Sequence, residues 1–464
     1  MHVPSLRGVI LISGLPASVY GMLPKHVFQP PRGMRDYLPR DLYERRVVEN
    51  TIRELFRLYG YEEVETPTVE HYELLAAKVG EETRRTMYVF KDLAGRTLAL
   101  RPEGTAPIAR LVASKLKTAP KPLRLGYVWD FYRYDEPQRG RYRRFYQGGF
   151  ELLGSSRPEA DIEILSVSIE LMRRLGFESF QVKLNNVNIL RSLMAEKGVD
   201  EATQNRILGL ADKKRHAEAI EELKKCGVDE DLISKLSHLF QLRGVDHREL
   251  MSEAERVLEG CENALEALRN LRFILETVKE VYPEPQYLLD FGFARGLEYY
   301  TGLIFEVFVD GLDIALIGGG RYDKLVELYG GEPTPAVGCA PGIDRLVLAM
   351  KLKNIMPDPP SNHRVYLCIL NEKVLAYGFK VSARLRAEGI PVEMEVMGRK
   401  LSKSLSIASS RGFLYTVIIG PKEAESGLVS LKDMAKGVQE TLTVEEMLKR
   451  IKIRLQTLHV SKRL

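Results

Sequence analysis

Between Pro158 and Pro283 the chain runs without a single proline. Over residues 193–280 Ala, Leu, Glu and Lys dominate, as in AEAIEELKK (217–225) and NALEALRNLRFILETVKEV (263–281). Apolar residues recur there at steps of three and four, the period of a helix with one buried face. A proline inside a helix costs about 3 kcal/mol, so a long proline-free stretch with this spacing predicts a helical block. The flanks read differently. Residues 26–192 mix helical and strand patterns, punctuated by the expected turn residues Pro102, Gly126, Pro137 and Gly140. Strand patterning returns at 287–293 and 304–309, followed by an expected glycine turn at Gly318-Gly319-Gly320 and a small-to-apolar run at 337–350. A helical block inside a strand-rich pattern predicts one α+β domain, 26–192 and 285–356, interrupted by an insertion at 193–284.

Pro357-Asp-Pro-Pro-Ser-Asn-His363 reads as a linker over 357–362. After it VYLCIL, VEMEV, YTVIIG and GLVSLKDM alternate with helical patterns at 375–388, 401–411 and 444–455, which predicts a small α/β domain over 363–464. A chain of 464 residues is too long for one core. Charge is placed unevenly: residues 363–464 carry 18 Lys and Arg against 10 Asp and Glu, whereas the rest carries 50 against 53. A basic module on a near-neutral body suits a polyanion such as nucleic acid, although a solvated basic tail (Lys449, Arg450, Lys452, Arg454, Lys462, Arg463) accounts for the same count.

Cys226, Cys261, Cys339 and Cys368 lie far apart with no CxxC, which excludes a disulfide framework and a thiolate zinc site and suits a reducing cytosol. The eight histidines form no HExxH, so no metal site is expected. Residues 8–24 are uncharged and could pass for a targeting leader, but Gly14, Pro16 and Gly21 break them; a disordered extension over 1–25, or a start at Met22, is the expectation. No other apolar run approaches the ~20 residues of a membrane span.

No P-loop, GxSxG elbow or GxGxxG occurs. The conspicuous feature is Arg133-Tyr-Asp-Glu-Pro-Gln-Arg139-Gly-Arg141-Tyr-Arg143-Arg144-Phe145, two strand-like arms around a Pro-Gly loop. Guanidiniums bind phosphate through a planar fork, so this hairpin suits a triphosphate or an RNA end. Arg295, in FGFARGLEYYTG, and Arg345, in VGCAPGIDRLVLAM, sit among apolar neighbours where an unpaired charge is costly. Each needs an anion, from the chain itself or from a ligand. Lys400-Leu-Ser-Lys-Ser404 looks like the KMSKS loop of class I aminoacyl-tRNA synthetases, but without a HIGH-type element it reads as a helix N-terminus.

Together these residues resemble the class II aminoacyl-tRNA synthetases. Gly60-Tyr-Glu-Glu-Val-Glu-Thr-Pro-Thr-Val-Glu70 is similar to their motif 1, Arg133 through Glu151 to motif 2, and Gly338–Leu348 to motif 3. PPRGMRDYLP (30–39), LRPEGT (100–105), ARGLEYYTG (294–302) and GGGRYDKLV (318–326) resemble the histidyl-tRNA synthetases in particular. The resemblance implies a six-stranded antiparallel sheet flanked by helices, a homodimer, the helical insertion and a C-terminal anticodon-binding α/β domain. It implies a reaction in which ATP and histidine give histidyl-adenylate, from which histidine passes to tRNA(His).

By the same resemblance Arg133 holds the α-phosphate, Arg345 the γ-phosphate, and Arg295 bridges the substrate carboxylate and the α-phosphate beside Mg²⁺; Asp135, Arg141 and Phe145 complete the ATP site. Glu103, Thr105 and Gln147 hold the α-ammonium, Glu151 and Tyr300 the imidazole nitrogens, with Tyr299 alongside. A site that satisfies both ring nitrogens discriminates by about 10⁴ without editing, because an apolar analogue leaves its polar groups unpaired. The chain departs from its relatives at Tyr134-Asp135, where Arg133 is frequently followed by His-Glu, and at Glu298, where Asp is frequent. The alternative is an inactive paralogue, the regulatory subunit of ATP phosphoribosyltransferase in histidine biosynthesis. Such paralogues lose the terminal domain and the ligand arginines, and this chain carries both. A nucleic-acid-binding protein without catalysis would leave the pocket residues unexplained.

Overall fold

A computed structural model describes residues 25–77, 80–295, 298–359 and 364–460. The uncharged N-terminal stretch through Pro24 lies outside them, so the expectation of an extension at 1–25 falls largely there. The chain divides into two compact units, 1–357 and 358–464.

In the first unit the helix Pro39–Tyr59 opens with proline, which needs no N–H partner at that position, and Asp41 accepts the Leu38 N–H at 3.0 Å. It stops at Gly60, whose φ of 73° is left-handed. Val48, Ile52, Leu55 and Phe56 bury its inner face on the central sheet. That sheet runs in the order Glu62–Glu63, Leu123–Tyr132, Arg144–Leu153, Ala336–Pro341, Ile317–Arg321, Leu303–Phe308, Gln181–Asn186, Gln286–Asp290, Arg243–Gly244.

Six consecutive strands, from Leu123–Tyr132 to Gln181–Asn186, are antiparallel neighbours. The sheet is wider than the six strands expected: Glu62–Glu63 and Gln286–Asp290 join its two sides in parallel, and Arg243–Gly244 extends it further. Glu62–Glu63 and Arg243–Gly244 are two residues long, too short to carry a visible period, whereas Gln286–Asp290 falls where strand patterning was read at 287–293.

Two expected turns prove to be strand. Gly126 lies within Leu123–Tyr132, where a Cβ would come 2.6 Å from the Phe56 ring. Gly318-Gly319-Gly320 form the middle of Ile317–Arg321. Here glycine answers crowding above the strand, not a need to bend it.

The helical stretch runs from Val187–Glu196 through Glu201–Asp212, His216–Lys225, Glu230–Leu239 and His247–Val257 to Glu262–Val281. Asn186, Asp200, Asp229 and Asp246 each accept a first-turn N–H, so four of these helices start at a side-chain cap. Leu268, Leu271, Ile274, Leu275 and Val278 bury the last one at three- and four-residue steps.

The second unit is a five-stranded sheet in the order Val392–Met394, Val365–Ile369, Tyr415–Ile419, Leu428–Asp433, Gln439–Thr443. The first three strands are parallel and the last two antiparallel. Helices Leu375–Ala387, Leu401–Ser410 and Val444–Val460 accompany it. Lys400 caps the helix Leu401–Ser410, so the KLSKS stretch is a helix N-terminus. The four cysteines are free thiols, three of them buried.

Candidate active site

The hairpin of Leu123–Tyr132 and Arg144–Leu153 pairs from Leu123 opposite Leu153 to Tyr132 opposite Arg144 and leaves Arg133–Arg143 as a loop at its open end. Two arginines hold the neighbouring loop 101–104 against it. Arg101, buried, donates to the Thr66 and Asp130 carbonyls at 2.8 and 2.9 Å, and Arg133 Nε donates to the Pro102 carbonyl at 2.8 Å. Arg133 also lies over the Phe145 ring, 5.3 Å from its centroid.

Seven of the sequence-predicted residues line one cleft: Arg133, Asp135, Arg141, Phe145, Gln147, Arg295 and Arg345. Its floor is the glycine strand. A Cβ on Gly318 would collide with the Arg295 guanidinium, and one on Gly320 would come 2.7 Å from the Tyr300 ring. Arg295 Nη1 donates to the Phe305 carbonyl at 3.2 Å and lies 3.6 Å from Glu306 Oε1. Arg345 donates to the Ala315 and Gly140 carbonyls at 2.8 and 3.4 Å, and among the described residues no carboxylate forms an ion pair with it. Burial, and then the like charges of Arg141, Arg133 and Arg295, depress its pKa to about 10. Burial lowers that of Arg133 as well. Like charges gathered in this way favour a polyanion between them.

The remaining predicted residues form a buried polar cluster beside the cleft. Glu103 accepts from the Thr105 and Ala106 N–H groups at 2.7 and 2.9 Å, at the start of the helix Thr105–Ser114. Glu151 accepts from the Thr105 hydroxyl at 3.0 Å and from the Tyr322 hydroxyl. The rings of Tyr299 and Tyr300 pack edge to face, 4.9 Å apart, and Tyr299 meets Tyr322 at 5.9 Å. Arg295 and Tyr300 also line a larger cavity toward the helices Glu201–Asp212 and His216–Lys225. Gly296 and Leu297 of ARGLEYYTG lie outside the described residues.

Burial pushes the Glu151 carboxyl up to about 8, against the opposing pull of the Tyr322 and Thr105 hydroxyls. A carboxyl whose folded pKa exceeds its unfolded value costs stability as pH rises from about 4.5 through 8, whereas a neutral amide carries no such cost. Glu151→Gln should therefore gain on the parent chain between pH 5 and pH 8, with the difference in Tm growing by roughly 3 °C. Thermal melts at the two pH values check this; a constant difference would show that Glu151 does not titrate in that window.

Four functional candidates escaped the sequence reading: Tyr322, Tyr127, Glu306 and Asp344. Tyr127 is buried between Gly104 and Gly149, whose added Cβ atoms would strike its ring, and its hydroxyl has no hydrogen-bond partner among the described residues. The adjacency of Asp344 to Arg345 and of Tyr322 to the glycine run was the available signal.

With this geometry established, similarity to known proteins decides the family. The family model "Histidyl-tRNA synthetase" matches residues 33–346, and "Anticodon binding domain" matches 364–454. The histidine--tRNA ligase of Methanocaldococcus jannaschii is 39% identical over 91% of this chain and 99% of its own. The chain belongs to the histidyl-tRNA synthetase family. Among solved structures, the histidyl-tRNA synthetase of Nostoc sp. PCC 7120 superposes with a TM-score of 0.71 at 25% identity, covering 92% of this chain and 99% of that one. A Bacillus halodurans protein described as an ATP phosphoribosyltransferase regulatory subunit/histidyl-tRNA synthetase also gives 0.71, at 28% identity, covering 86% and 100%. The nine-stranded sheet, antiparallel through its centre, is thus the class II synthetase sheet. Among the described residues no helix is long and apolar enough to cross a membrane.

Proposed function

We propose that this chain is a histidine–tRNA ligase that works as a cytoplasmic homodimer, activating histidine with ATP and passing it to tRNA(His). The observation that carries this reading is Arg345, which has no carboxylate partner among the described residues and shares one cleft with Arg133, Arg141 and Arg295 beside the buried acids Glu103 and Glu151. The catalytic core is 26–192 with 285–356, the insertion 193–284, the linker 357–362 and the anticodon-binding domain 363–464.

A histidine carboxylate is already ionised at neutral pH, so it attacks the α-phosphorus without a general base. The barrier lies in bringing two anions together in line and holding the charge that develops. Arg133 and Arg295 hold the α-phosphate, Arg295 also the attacking carboxylate, and Arg345 the γ-phosphate. Phe145 and Asp135 take the adenine side, and Arg141 adds charge at the cleft mouth. Glu103, Thr105 and Gln147 receive the α-ammonium, while Glu151, Tyr299 and Tyr300 enclose the imidazole. Mg²⁺ would accompany ATP and add positive charge at its phosphates; among the described residues no cluster of three metal-ligating side chains exists, and Glu306 at the cleft is the carboxylate that would help hold such an ion.

The reading is tested by ATP–pyrophosphate exchange with each of the twenty amino acids. Exchange with histidine alone supports it, and none with any amino acid points to the regulatory paralogue. Aminoacylation of tRNA(His) transcripts with altered anticodons tests the terminal domain. Binding that ignores tRNA identity and vanishes with modest salt would reduce the basic module to bulk attraction.

A further inference from the structure

We propose that Arg35, on the segment before the first helix, is a positioning residue for the nucleotide, neutralising Asp344 and fastening the arginine hairpin to the helix that carries Arg345. The inference rests on the assignment of the cleft to ATP.

Asp344 is buried, lines the cleft and precedes Arg345 in the helix Ile343–Leu352. An unpaired carboxylate there would repel a triphosphate from the very place where Arg345 attracts one. Three donors converge on it. The Arg35 guanidinium forms an ion pair with Oδ1, the Tyr37 hydroxyl donates to the same oxygen at 3.0 Å, and the Tyr146 N–H donates to Oδ2 at 2.7 Å. Of these only Arg35 cancels the charge.

Arg35 also grips the hairpin. Its guanidinium lies over the rings of Tyr37 and Tyr142, 4.5 and 4.1 Å from their centroids. Its neighbours on the segment do the same. Arg32 pairs with Glu136 at 2.7 Å, and the Gly33 carbonyl accepts the Arg143 N–H at 2.8 Å. Gly33 is left-handed at φ +83°, and a Cβ there would meet the Arg143 side chain at 2.6 Å, so the segment lies flush on the loop. Tyr142 and Arg143 directly follow Arg141 in sequence, and Gly140, just before it, supplies a carbonyl to Arg345. The segment therefore holds the loop and the helix in the one arrangement that points both sets of guanidiniums into the cleft.

The test is ATP–pyrophosphate exchange by the full chain carrying Arg35→Met, alone and with Asp344→Asn. Arg35→Met should raise KM for ATP about tenfold and leave KM for histidine within about twofold, because the acid cluster is untouched. The double variant should recover most of that loss, since the repelling carboxylate is gone. A purely structural role predicts the reverse. Parallel rises in both KM values, or a double variant worse than Arg35→Met, overturn the proposal. If Arg35→Met does not fold, Arg35→Lys keeps the charge without the planar face. It should then raise KM for ATP about threefold, and an unchanged value is equally fatal. No exchange in the parent chain removes the ATP assignment and this inference with it; exchange with an unshifted ATP KM in Arg35→Met sinks the role of Arg35 alone.

Discussion

Arg295→Lys should lower kcat/KM for histidine-dependent ATP–pyrophosphate exchange by about 10²–10³, the on-the-order-of 3–4 kcal/mol expected when a preorganised contact to developing charge is lost. Lysine keeps the charge, so Coulomb attraction alone predicts a mild effect. The geometry says otherwise. Arg295 spends one nitrogen on the Phe305 carbonyl, near Glu306, which leaves the rest of its planar fork for the two anions of the proposed reaction. An ammonium is a single point on a flexible stem and cannot bridge a carboxylate and a phosphate while remaining anchored. Exchange kinetics with melting curves check the prediction. A lysine variant that keeps a tenth or more of the activity would remove Arg295 from the reacting groups.

Gly318→Ala should be nearly as damaging while leaving the fold intact. The backbone at Gly318 is ordinary strand, which alanine adopts freely, and the atoms its methyl would strike belong to the mobile end of Arg295. The guanidinium can yield toward the cleft, so stability should change by no more than about 1 kcal/mol. Exchange should nevertheless fall by about 10² or more, because the fork is displaced from the position its anions require. The loss should vanish in an Arg295→Ala background, a non-additivity expected only when two residues act through one contact. Gly319→Ala is the contrast. Its methyl would meet the Gly338 carbonyl at 2.5 Å and the Phe305 ring at 2.6 Å, neighbours that cannot move aside, and that variant should lose stability first.

These glycines also mark where the sequence was legible and where it was not. The helical stretch, the arginine hairpin and the terminal α/β unit follow from local periodicity and turn chemistry, and they appear where those signals lie. Arg133 stood out within a run of guanidiniums, and Arg295 and Arg345 because charge among apolar neighbours needs a reason. Gly318–Gly320 misled because three adjacent glycines ordinarily bend a chain. Here they make room for Arg295, Tyr300 and Phe305, side chains on other segments. The same holds for Gly126 beneath Phe56. Glu151 owes its Tyr322 hydroxyl, and Asp344 its Arg35 partner, to pairings across 171 and 309 positions, which no local pattern reports.

The depressed basicity of Arg345 has a mechanical consequence. The like charges of Arg141, Arg133 and Arg295 bear on Arg345 across the cleft, and these groups sit on three separate segments: the hairpin loop, the loop after Gln286–Asp290 and the helix Ile343–Leu352. The nucleotide is then a keystone as much as a reactant. A triphosphate there would supply the opposite charge between those three segments, so a bound nucleotide should stabilise the fold as well as react.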